Sequence, residues 1–292
     1  MGDVLAGFHA AWEFESDSVL IRFERGIRTP KLLQALGERR IPLEAVAAVT
    51  LTPGKRGTVV LHAVPRPGAD PLMDAAAGQL KEGSDPYRLV LPAERETLAE
   101  YYADELRAKL SDHEDMRPES YLVAPPEAPR QFKAYDGKAT FDGDSVAFRW
   151  FWTGASSAKW KAGDKTFPIS DLSGVEWRSP ELFEGHLRLL PRDVSGEQPG
   201  QADQDPAAVV FGLGYGPVHE SLPFAASVLA AVRASGPAPP QGGTLCTESA
   251  GPGRRDPADI ADRIRHLGEL HQAGLVTDAE FTSKKAELLA QL

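Results

Sequence analysis

Hydrophobic residues recur at every second position in several short segments of this chain, a spacing that is typical of half-buried β-strands. Within the first 110 residues, this pattern predicts strands at 19–23, 46–51, 59–64 and 87–91. Residues 96–110 instead carry hydrophobic side chains at steps of four, which predicts an amphipathic helix. This part of the chain is therefore predicted to be a run of antiparallel strands closed by one helix.

The same order of elements occurs twice, at an offset of about 126 residues. Residues 14–23 and 141–150 share the pattern F-x-x-D-S-V-x-Φ-R-aromatic, and residues 37–43 and 163–169 share G-[ED]-[RK]-x-Φ-P-Φ. Matches in a later strand and in the closing helix follow in the same order. We infer that the chain contains two copies of one domain.

The predicted organisation has five parts. They are a first copy at 1–110, an acidic proline-containing linker at 111–130, a second copy at 131–235, a Gly/Pro linker at 236–255 and a helical hairpin at 256–292. Strands followed by one helix are the order of a pleckstrin-homology-like (PH-like) β-barrel or sandwich. The predicted fold class is therefore mainly β (α+β), with two tandem PH-like domains and a C-terminal α-helical hairpin. We expect the first linker to be a stiff, exposed spacer and the second to be disordered.

The most specific local pattern lies in the predicted hairpin. Gly274 occupies the position of a helix-terminating glycine, and Thr277 with Glu280 forms a capping box at the start of a second helix. A hairpin this short needs another surface to cover its hydrophobic stripes, because domains under ~40 residues rarely fold alone. The predicted oligomer or partner face consists of Ile260, Ile264, Leu267, Leu270, Phe281, Leu288 and Leu292.

The hairpin resembles the SHOCT (short C-terminal) domain, through the pattern I-x-x-L-x-x-L-x-x-x-G-L-V-T-x-x-E-F-x-x-x-K-x-x-L-L at 264–289. The duplicated copies, with their G-[ED]-[RK]-x-Φ-P-Φ motif, resemble a bacterial domain of unknown function that occurs in tandem ahead of a SHOCT hairpin, mainly in high-GC Gram-positive organisms. The resemblance to SHOCT implies oligomerisation or partner binding. Neither resemblance implies a catalytic residue.

Three surfaces are open to the hairpin, namely its own PH-like domains, a second copy of the chain, or a different protein. The long linker at 236–255 favours the last two, because a flexible tether gives reach and raises the effective concentration. We therefore predict self-association or binding of a protein partner through residues 256–292.

The composition of the chain argues against several classes of protein. The net charge of −10 argues against general nucleic-acid binding, because phosphate backbones require a basic footprint. The single cysteine excludes an intrachain disulfide framework. The chain begins without the basic region and apolar run of a signal peptide, and its apolar stretches are shorter than the ~20 residues that span a bilayer. We expect a cytoplasmic protein.

No catalytic, cofactor or metal site is predicted. The glycine-rich turn at 212–217 follows a strand and precedes a helix, as a phosphate-binding loop does. It lacks the third glycine of the dinucleotide fingerprint and the Lys-Ser/Thr of a P-loop, so a simple turn is the better explanation. The seven histidines are scattered without ligand spacing, and no nucleophile elbow occurs. We expect a non-enzymatic protein without cofactors.

Aromatic and cationic residues concentrate at 149–165, in a predicted hairpin of an otherwise acidic chain, and the matching segment 25–40 of copy one is also cationic. The core of the barrel is the favoured place for Trp150 and Trp152, whereas Trp160, flanked by lysines, fits a core or a surface role equally. The candidate ligand or membrane residues are Arg149, Trp152, Lys159, Trp160, Lys161, Lys165, Arg39 and Arg40.

These patterns predict a non-enzymatic binding or scaffolding protein, whose SHOCT hairpin mediates oligomerisation or recruits a partner. The alternative is peripheral binding to a membrane or an anionic lipid through the basic and aromatic loops of the PH-like domains.

Overall fold

The computed structural model of the chain describes residues 3–110, 116–192 and 200–236. The predicted SHOCT hairpin with its seven face residues, and all but the first residue of the predicted second linker, lie outside the described residues. No helix in the described part is both long enough and apolar enough to cross a membrane.

The described part of copy one contains two antiparallel sheets, three α-helices and three short 3-10 helices. The four-stranded sheet has the order β1 (Asp3–Ala6), β2 (Ala10–Phe14), β3 (Ser18–Phe23) and β4 (Glu38–Pro42). The three-stranded sheet has the order β5 (Val46–Pro53), β6 (Thr58–Pro65) and β7 (Arg88–Pro92). The helices are α1 (Lys31–Leu36), α2 (Pro71–Ala76) and α3 (Glu96–Lys109).

Copy two repeats the two sheets and the closing helix. Its four-stranded sheet contains β8 (Arg130–Lys133), β9 (Gly137–Phe141), β10 (Ser145–Trp150) and β11 (Lys165–Pro168). Its three-stranded sheet contains β12 (Leu172–Arg178), β13 (His186–Pro191) and β14 (Ala208–Val210). The helices are α4 (Ser157–Ala162), between β10 and β11, and the closing α5 (Val218–Ser235).

One backbone hydrogen bond joins the two sheets at the same place in each copy. In copy one, Phe8 N donates to Val90 O at 2.7 Å, and in copy two Tyr135 N donates to Val210 O at 3.0 Å. Both bonds connect the turn after the first strand with the last strand. The duplication therefore extends to the connection between the sheets.

The alternating hydrophobic positions of the strands face inward, as the sequence predicts. Ile21 and Phe23 of β3 are buried in the core of copy one, and Phe148 and Trp150 of β10 are buried in the core of copy two. The closing helices complete these cores through residues of α3 and α5. Burial of the inward-facing side chains supplies the main driving force for this arrangement.

The prediction of a mainly β protein is confirmed. Four small antiparallel sheets are accompanied by few helices, and none of the sheets closes into a barrel within the described residues. The strands expected at 46–51 and 59–64 and the helix expected at 96–110 match β5, β6 and α3. The sequence pattern does not predict α1, α2 or α4, because a helix of six residues contains less than two turns of periodicity.

Two helices of copy one contribute side chains to the hydrophobic core of copy two. Leu32 in α1 and Leu72, Ala75 and Ala76 in α2 belong to copy one, yet they are buried in the core of copy two. Both α1 and α2 pack against α5. Residues 1–239 accordingly form one compact unit.

The carboxamide of Gln79 fixes this interface by pairing with the backbone at the end of β12 and just after it. Gln79 Nε2 donates to Trp177 O at 3.0 Å, and Gln79 Oε1 accepts from Ser179 N at 2.8 Å. Because β12 lies at the edge of its sheet, the side chain replaces hydrogen bonds that a neighbouring strand would supply.

Residues 116–130 are bound to both copies. Leu122 N and Val123 N donate to Ala69 O at 2.9 and 3.0 Å, and Ser227 Oγ donates to Pro126 O at 2.5 Å. Val123 is buried, while most other side chains of this segment are exposed. The described part of the predicted linker is mostly exposed, as expected, but it is attached to both copies and does not act as a free spacer.

Candidate functional site

The strands on either side of the predicted hairpin, β10 and β11, do pair antiparallel, but the connection between them contains a helix and is not a simple turn. Strand β10 ends at Trp150, and α4 begins after Ser156, whose hydroxyl accepts from Lys159 N at 3.4 Å. Gly163, with a φ of 68°, ends the helix before β11. Side chains of this segment therefore point around a helix axis instead of to the two faces of a hairpin.

Lys159 lies inside copy two and not on its surface, so its predicted role as a ligand residue is wrong. Its side chain is 0% exposed, and Nζ donates to Asp136 Oδ2 at 2.5 Å and lies 4.9 Å from the centroid of the Trp150 ring. The other carboxylate oxygen, Oδ1, accepts from Val210 N at 2.9 Å. Burial raises the pKa of Asp136 and lowers the pKa of Lys159, while the attraction between the two charges opposes both shifts.

Comparison of the two copies shows what this ion pair replaces. Lys159 occupies in α4 the position that Leu33 occupies in α1, and Leu33 is buried in the core of copy one. Asp136 stands where copy one has His9, whose Nδ1 lies 3.2 Å from Thr29 Oγ1. The match of Lys159 with a buried leucine is the sequence signal that places this lysine in the core.

Arg39 is also enclosed, and its predicted role as a ligand residue is wrong. Its Nη2 donates to Asp70 Oδ1 at 2.8 Å, with 5% of the arginine side chain and 0% of the aspartate side chain exposed. Asp70 further accepts from Tyr87 Oη at 2.8 Å and from Leu72 N, at the start of α2, at 2.9 Å. Burial is the largest of several causes that raise the pKa of Tyr87 well above its ordinary value. This network fixes α2, the helix that contacts copy two.

The remaining predicted cations lie nearer the surface. Arg40 pairs with the carboxylate of Glu15. Arg149 and Lys161 are exposed, and Lys165 is half-buried. Of these four cations, Arg149 and Lys161 are both exposed and close in sequence to Trp152 and Trp160.

Two of the three tryptophans in the segment face solvent. Trp150 is buried, as predicted. Trp152 is 79% exposed, so its predicted core position is wrong, because the strand ends at Trp150 and Phe151 N turns to donate to Asp136 O. Trp160 is 50% exposed, and its ring meets that of Trp152 edge-on, with centroids 5.2 Å apart and planes at 90°.

The glycine-rich turn at 212–217 is a second loop of copy two with exposed apolar side chains. Gly214 and Gly216 have φ values of 79° and 62°, a left-handed conformation that glycine adopts without strain, which agrees with the turn expected from the sequence. Between and beside them, Leu213 and Tyr215 are exposed. The glycines therefore serve to project two large side chains into solvent.

Tyr135 connects the two exposed loops. Its ring centroid lies 6.2 Å from that of Tyr215, and its carbonyl lies so close to Gly154 that a Cβ on this glycine would approach it to 2.2 Å. The loop after β10 and the glycine-rich turn thus pack against the same residue. We call Trp152, Trp160, Leu213 and Tyr215 the apolar end of copy two.

Three cations lie side by side on the outer face of the four-stranded sheet of copy two. Lys133 of β8 lies directly opposite Lys138 of β9, which lies directly opposite Arg149 of β10. Like charges at opposed positions of antiparallel strands repel each other. Among the described residues, Asp164 is the one carboxylate within ion-pair distance of this cation row, 3.6 Å from Arg149. Sequence reasoning missed Lys133 and Lys138, because only the strand register brings them next to Arg149.

Other features of the described residues offer less chemistry. No group of three or more His, Cys, Asp or Glu side chains there is arranged to hold a metal ion. An open groove of about 430 Å³ lies between α2 and β12, but the side chains of Asp74 and Gln79 that line it are already hydrogen-bonded within the protein. The apolar end and the cation row are therefore the strongest candidate site.

Comparison with known families agrees with the internal repeat. The profile of the domain of unknown function DUF4429 matches residues 12–107 and a second time residues 139–229. The profile of the short C-terminal domain, SHOCT, matches residues 262–289. A search of curated proteins found no match to this chain. Because the two DUF4429 matches cover more than half of the 292 residues, the chain belongs to the DUF4429 family, with two tandem copies of that domain ahead of a SHOCT domain.

Proposed function

We propose that this chain is a non-enzymatic binding and scaffolding protein of the cytoplasm. Its tandem unit binds through the apolar end of copy two, and its SHOCT segment assembles copies of the chain or recruits a partner protein. The observation that carries the proposal is the exposed pair Trp152 and Trp160.

Contacts within copy two hold the helix that carries Trp160 in place. Helix α4, which carries Trp160, is anchored by the buried pair Lys159 and Asp136 and by the capping hydroxyl of Ser156. Large hydrophobic groups held in water cost free energy, and clusters of them on a surface mark interaction sites. Tryptophan combines a large apolar ring with a hydrogen-bond donor, which suits it to a surface that is covered on binding.

The element order of each copy supports a PH-like fold. A four-stranded and a three-stranded antiparallel sheet are followed by one closing helix in both copies. In this framework the connections between the third and fourth strands, at 24–30 and 151–156 with the helices that follow, are the longest excursions of the four-stranded sheets. Binding through these loops leaves the sheets and the two cores unchanged.

Assembly through the SHOCT segment is tested by deletion of residues 240–292, which leaves the compact unit 1–239 complete. We expect the full chain to have a multiple of its monomer mass of 31.5 kDa in multi-angle light scattering. The truncated chain is expected to be monomeric and to keep its near-UV circular dichroism, because the cores of both copies lie within the unit that is retained.

A point variant separates the hydrophobic face from the length of the segment. Leu267→Asp in the full chain places a charge on the predicted partner face and is expected to lower the mass as the deletion does. Gln272→Asp, a matched change outside that face, is expected to leave the mass unchanged. The same number of subunits in the full and truncated chains would contradict assembly through this segment.

A further inference from the structure

Each copy presents an exposed hydrophobic side chain from the same loop. Ile27 is fully exposed in the 24–30 loop between β3 and α1. Trp152 is exposed in the corresponding 151–156 loop between β10 and α4. The two residues are chemically different, but the repeat keeps a large apolar group at the tip of this loop in both copies.

Hydrogen bonds from α1 hold the loop that carries Ile27 in place. Gln34 Nε2 donates to Gly26 O at 3.0 Å and to Thr29 O at 2.7 Å, so the side chain of α1 ties both ends of the tip together. Arg25 and Arg28 flank Ile27 and are exposed. The result is a fixed apolar protrusion between two cations.

The helix that follows this loop packs against the helix that follows the glycine-rich turn of copy two. Helix α1, which follows the loop, packs against α5. Lys31, at the start of α1, lies near His219 in the first turn of α5, where burial and then the charge of Lys31 lower the pKa of the histidine against the opposing effect of Glu220. Helix α5 in turn follows the turn that exposes Leu213 and Tyr215.

The cation row is a property of copy two and not of the fold. At the matching positions copy one has Ala6 opposite Ala11, which lies opposite Arg22. Arg22 is paired with the carboxylate of Glu13. In copy two, by contrast, Asp164 is the one carboxylate among the described residues that lies within ion-pair distance of the three opposed cations. Repulsion of this kind is unfavourable in the free protein and is relieved when an anionic surface contacts the row.

We propose that this end of the tandem unit docks on an anionic phospholipid bilayer, with Ile27 and the apolar end of copy two in the interfacial layer and the cation row at the headgroups. The inference rests on the proposed function and names the partner of its binding surface. A protein interface requires one continuous complementary surface, whereas apolar protrusions on separate loops, ringed by cations, match the bilayer interface. Tryptophan is enriched at that depth, and lysine and arginine are attracted by anionic lipid.

Tryptophan fluorescence reports directly on this docking. The chain has five tryptophans, of which Trp12, Trp150 and Trp177 are already buried. Insertion into lipid therefore changes the surroundings of Trp152 and Trp160 alone. With full-length protein and vesicles of phosphatidylcholine containing about 30 mol % phosphatidylglycerol, we expect a blue shift of the emission and loss of iodide quenching, and neither with pure phosphatidylcholine.

Vesicle co-sedimentation separates the charge contribution from the insertion. The double variant Lys133→Ala/Lys138→Ala removes two cations, each worth about 1 kcal/mol near an anionic leaflet, and is expected to lower the partition coefficient about 30-fold at low salt. Ile27→Ser and Trp152→Ser are expected to lower it while leaving its salt dependence unchanged. Lys109→Ala, at the far end of α3, and Tyr101→Ala, an exposed aromatic on the same helix, are the matched controls.

Three results would overturn the proposal. The first is no binding of the full-length protein to the anionic vesicles. The second is equal binding of the row and tip variants and their controls. The third is binding that depends on the row but not on Ile27 or Trp152 and gives no blue shift, which would assign the surface to a soluble polyanion such as an acidic protein segment.

The outcome is independent of assembly through the SHOCT segment. If deletion of residues 240–292 lowers the number of subunits but the full chain does not bind vesicles, the proposed scaffolding function stands and only the bilayer is excluded as the partner. A chain that binds vesicles but does not assemble gives the opposite result, so failure of either proposal is recognised separately.

Discussion

The buried pair of Lys159 and Asp136 provides the sharpest test of how copy two is held together. Replacing the lysine by leucine introduces a side chain that the same position already carries in copy one, as Leu33. The carboxylate of Asp136 then has no cation, although only 3% of its side chain is exposed. The change therefore isolates the effect of one buried, unpaired charge, because the shape of the new side chain is one that this fold accepts.

The expected effect is large. Removing one partner of a buried ion pair costs about 3–5 kcal/mol, because the remaining charge has lost its compensation. Each kcal/mol lowers the melting temperature by about 2–4 °C in a unit of this size, so Lys159→Leu is expected to melt about 6–20 °C below the parent. The assay is thermal unfolding of the full-length protein followed by near-UV circular dichroism, to which Trp150, beside the lysine, contributes.

The second variant, Lys159→Leu/Asp136→Asn, removes both charges and keeps the acceptor for Val210 N. The carboxamide oxygen of asparagine can take the place of Asp136 Oδ1, which accepts that bond at 2.9 Å. Neutral replacement of a whole buried pair is often without cost, so we expect the double variant to lie within about 1–2 kcal/mol of the parent. This recovery distinguishes an uncompensated charge from a defect of packing.

The pH dependence gives an independent check. Burial already raises the pKa of Asp136, and removal of the cation in Lys159→Leu raises it further. A carboxyl whose pKa is higher in the folded state than in the unfolded state favours folding when it is protonated, so the deficit of the single variant should shrink as the pH falls from about 7 toward about 5. A deficit below about 1 kcal/mol, or a double variant no more stable than the single one, would refute the reasoning.

Two further predictions concern copy one and its contact with copy two. Gln79→Leu removes the Gln79 partners of Trp177 O and Ser179 N and is expected to lower the free energy of unfolding in urea by about 2 kcal/mol. The control, Gln131→Leu on the exposed side of β8, is expected to leave this free energy unchanged. Equal effects of the two variants would refute the edge pairing. Because burial raises the pKa of Tyr87 well above its ordinary value, a spectrophotometric titration of Tyr87→Phe should show as many phenols ionising near about pH 10 as the parent, and one phenol fewer would contradict the buried network.

Much of the architecture follows from the sequence pattern. Alternating hydrophobic residues predict β5 and β6, a spacing of four predicts α3, and the offset repeat predicts the second copy. The strands and the helix are predictable because each depends on neighbours a few positions away, whose spacing directly gives the period of the element. The second copy is predictable because similar segments recur in the same order along the chain. The burial of Trp150 is predictable for a related reason, since its counterpart Phe23 occupies the same register of the repeat.

The candidate site is less predictable, because it depends on where elements end and on how strands align. Trp152 continues the alternation of β10, but the strand stops at Trp150 and the next residue turns toward Asp136. Lys133 and Lys138 are inconspicuous in the sequence and become a row with Arg149 only through the register of three strands. Neither the end of β10 nor the alignment of these strands can be deduced from the spacing of hydrophobic residues or from the composition of the chain.

The contact between the copies shows a similar limit. Helix α2 has six residues, and nothing in its local pattern indicates that Leu72 and Ala75 are buried in the core of copy two. The linker at 116–130 has the composition of a spacer, yet Val123 N donates to Ala69 O. Both depend on surfaces distant in the chain.

The amino-acid sequence alone settles the duplication, the mainly β character and the membership of the DUF4429 family with its SHOCT segment. The fate of each charge is settled by the three-dimensional packing. Lys159 and Lys161 are two positions apart in one short helix, but the first is enclosed with Asp136 and the second is exposed. The difference arises because the free energy of a charge depends on its solvation and on its nearest opposite charge, and here that opposite charge lies 23 residues away.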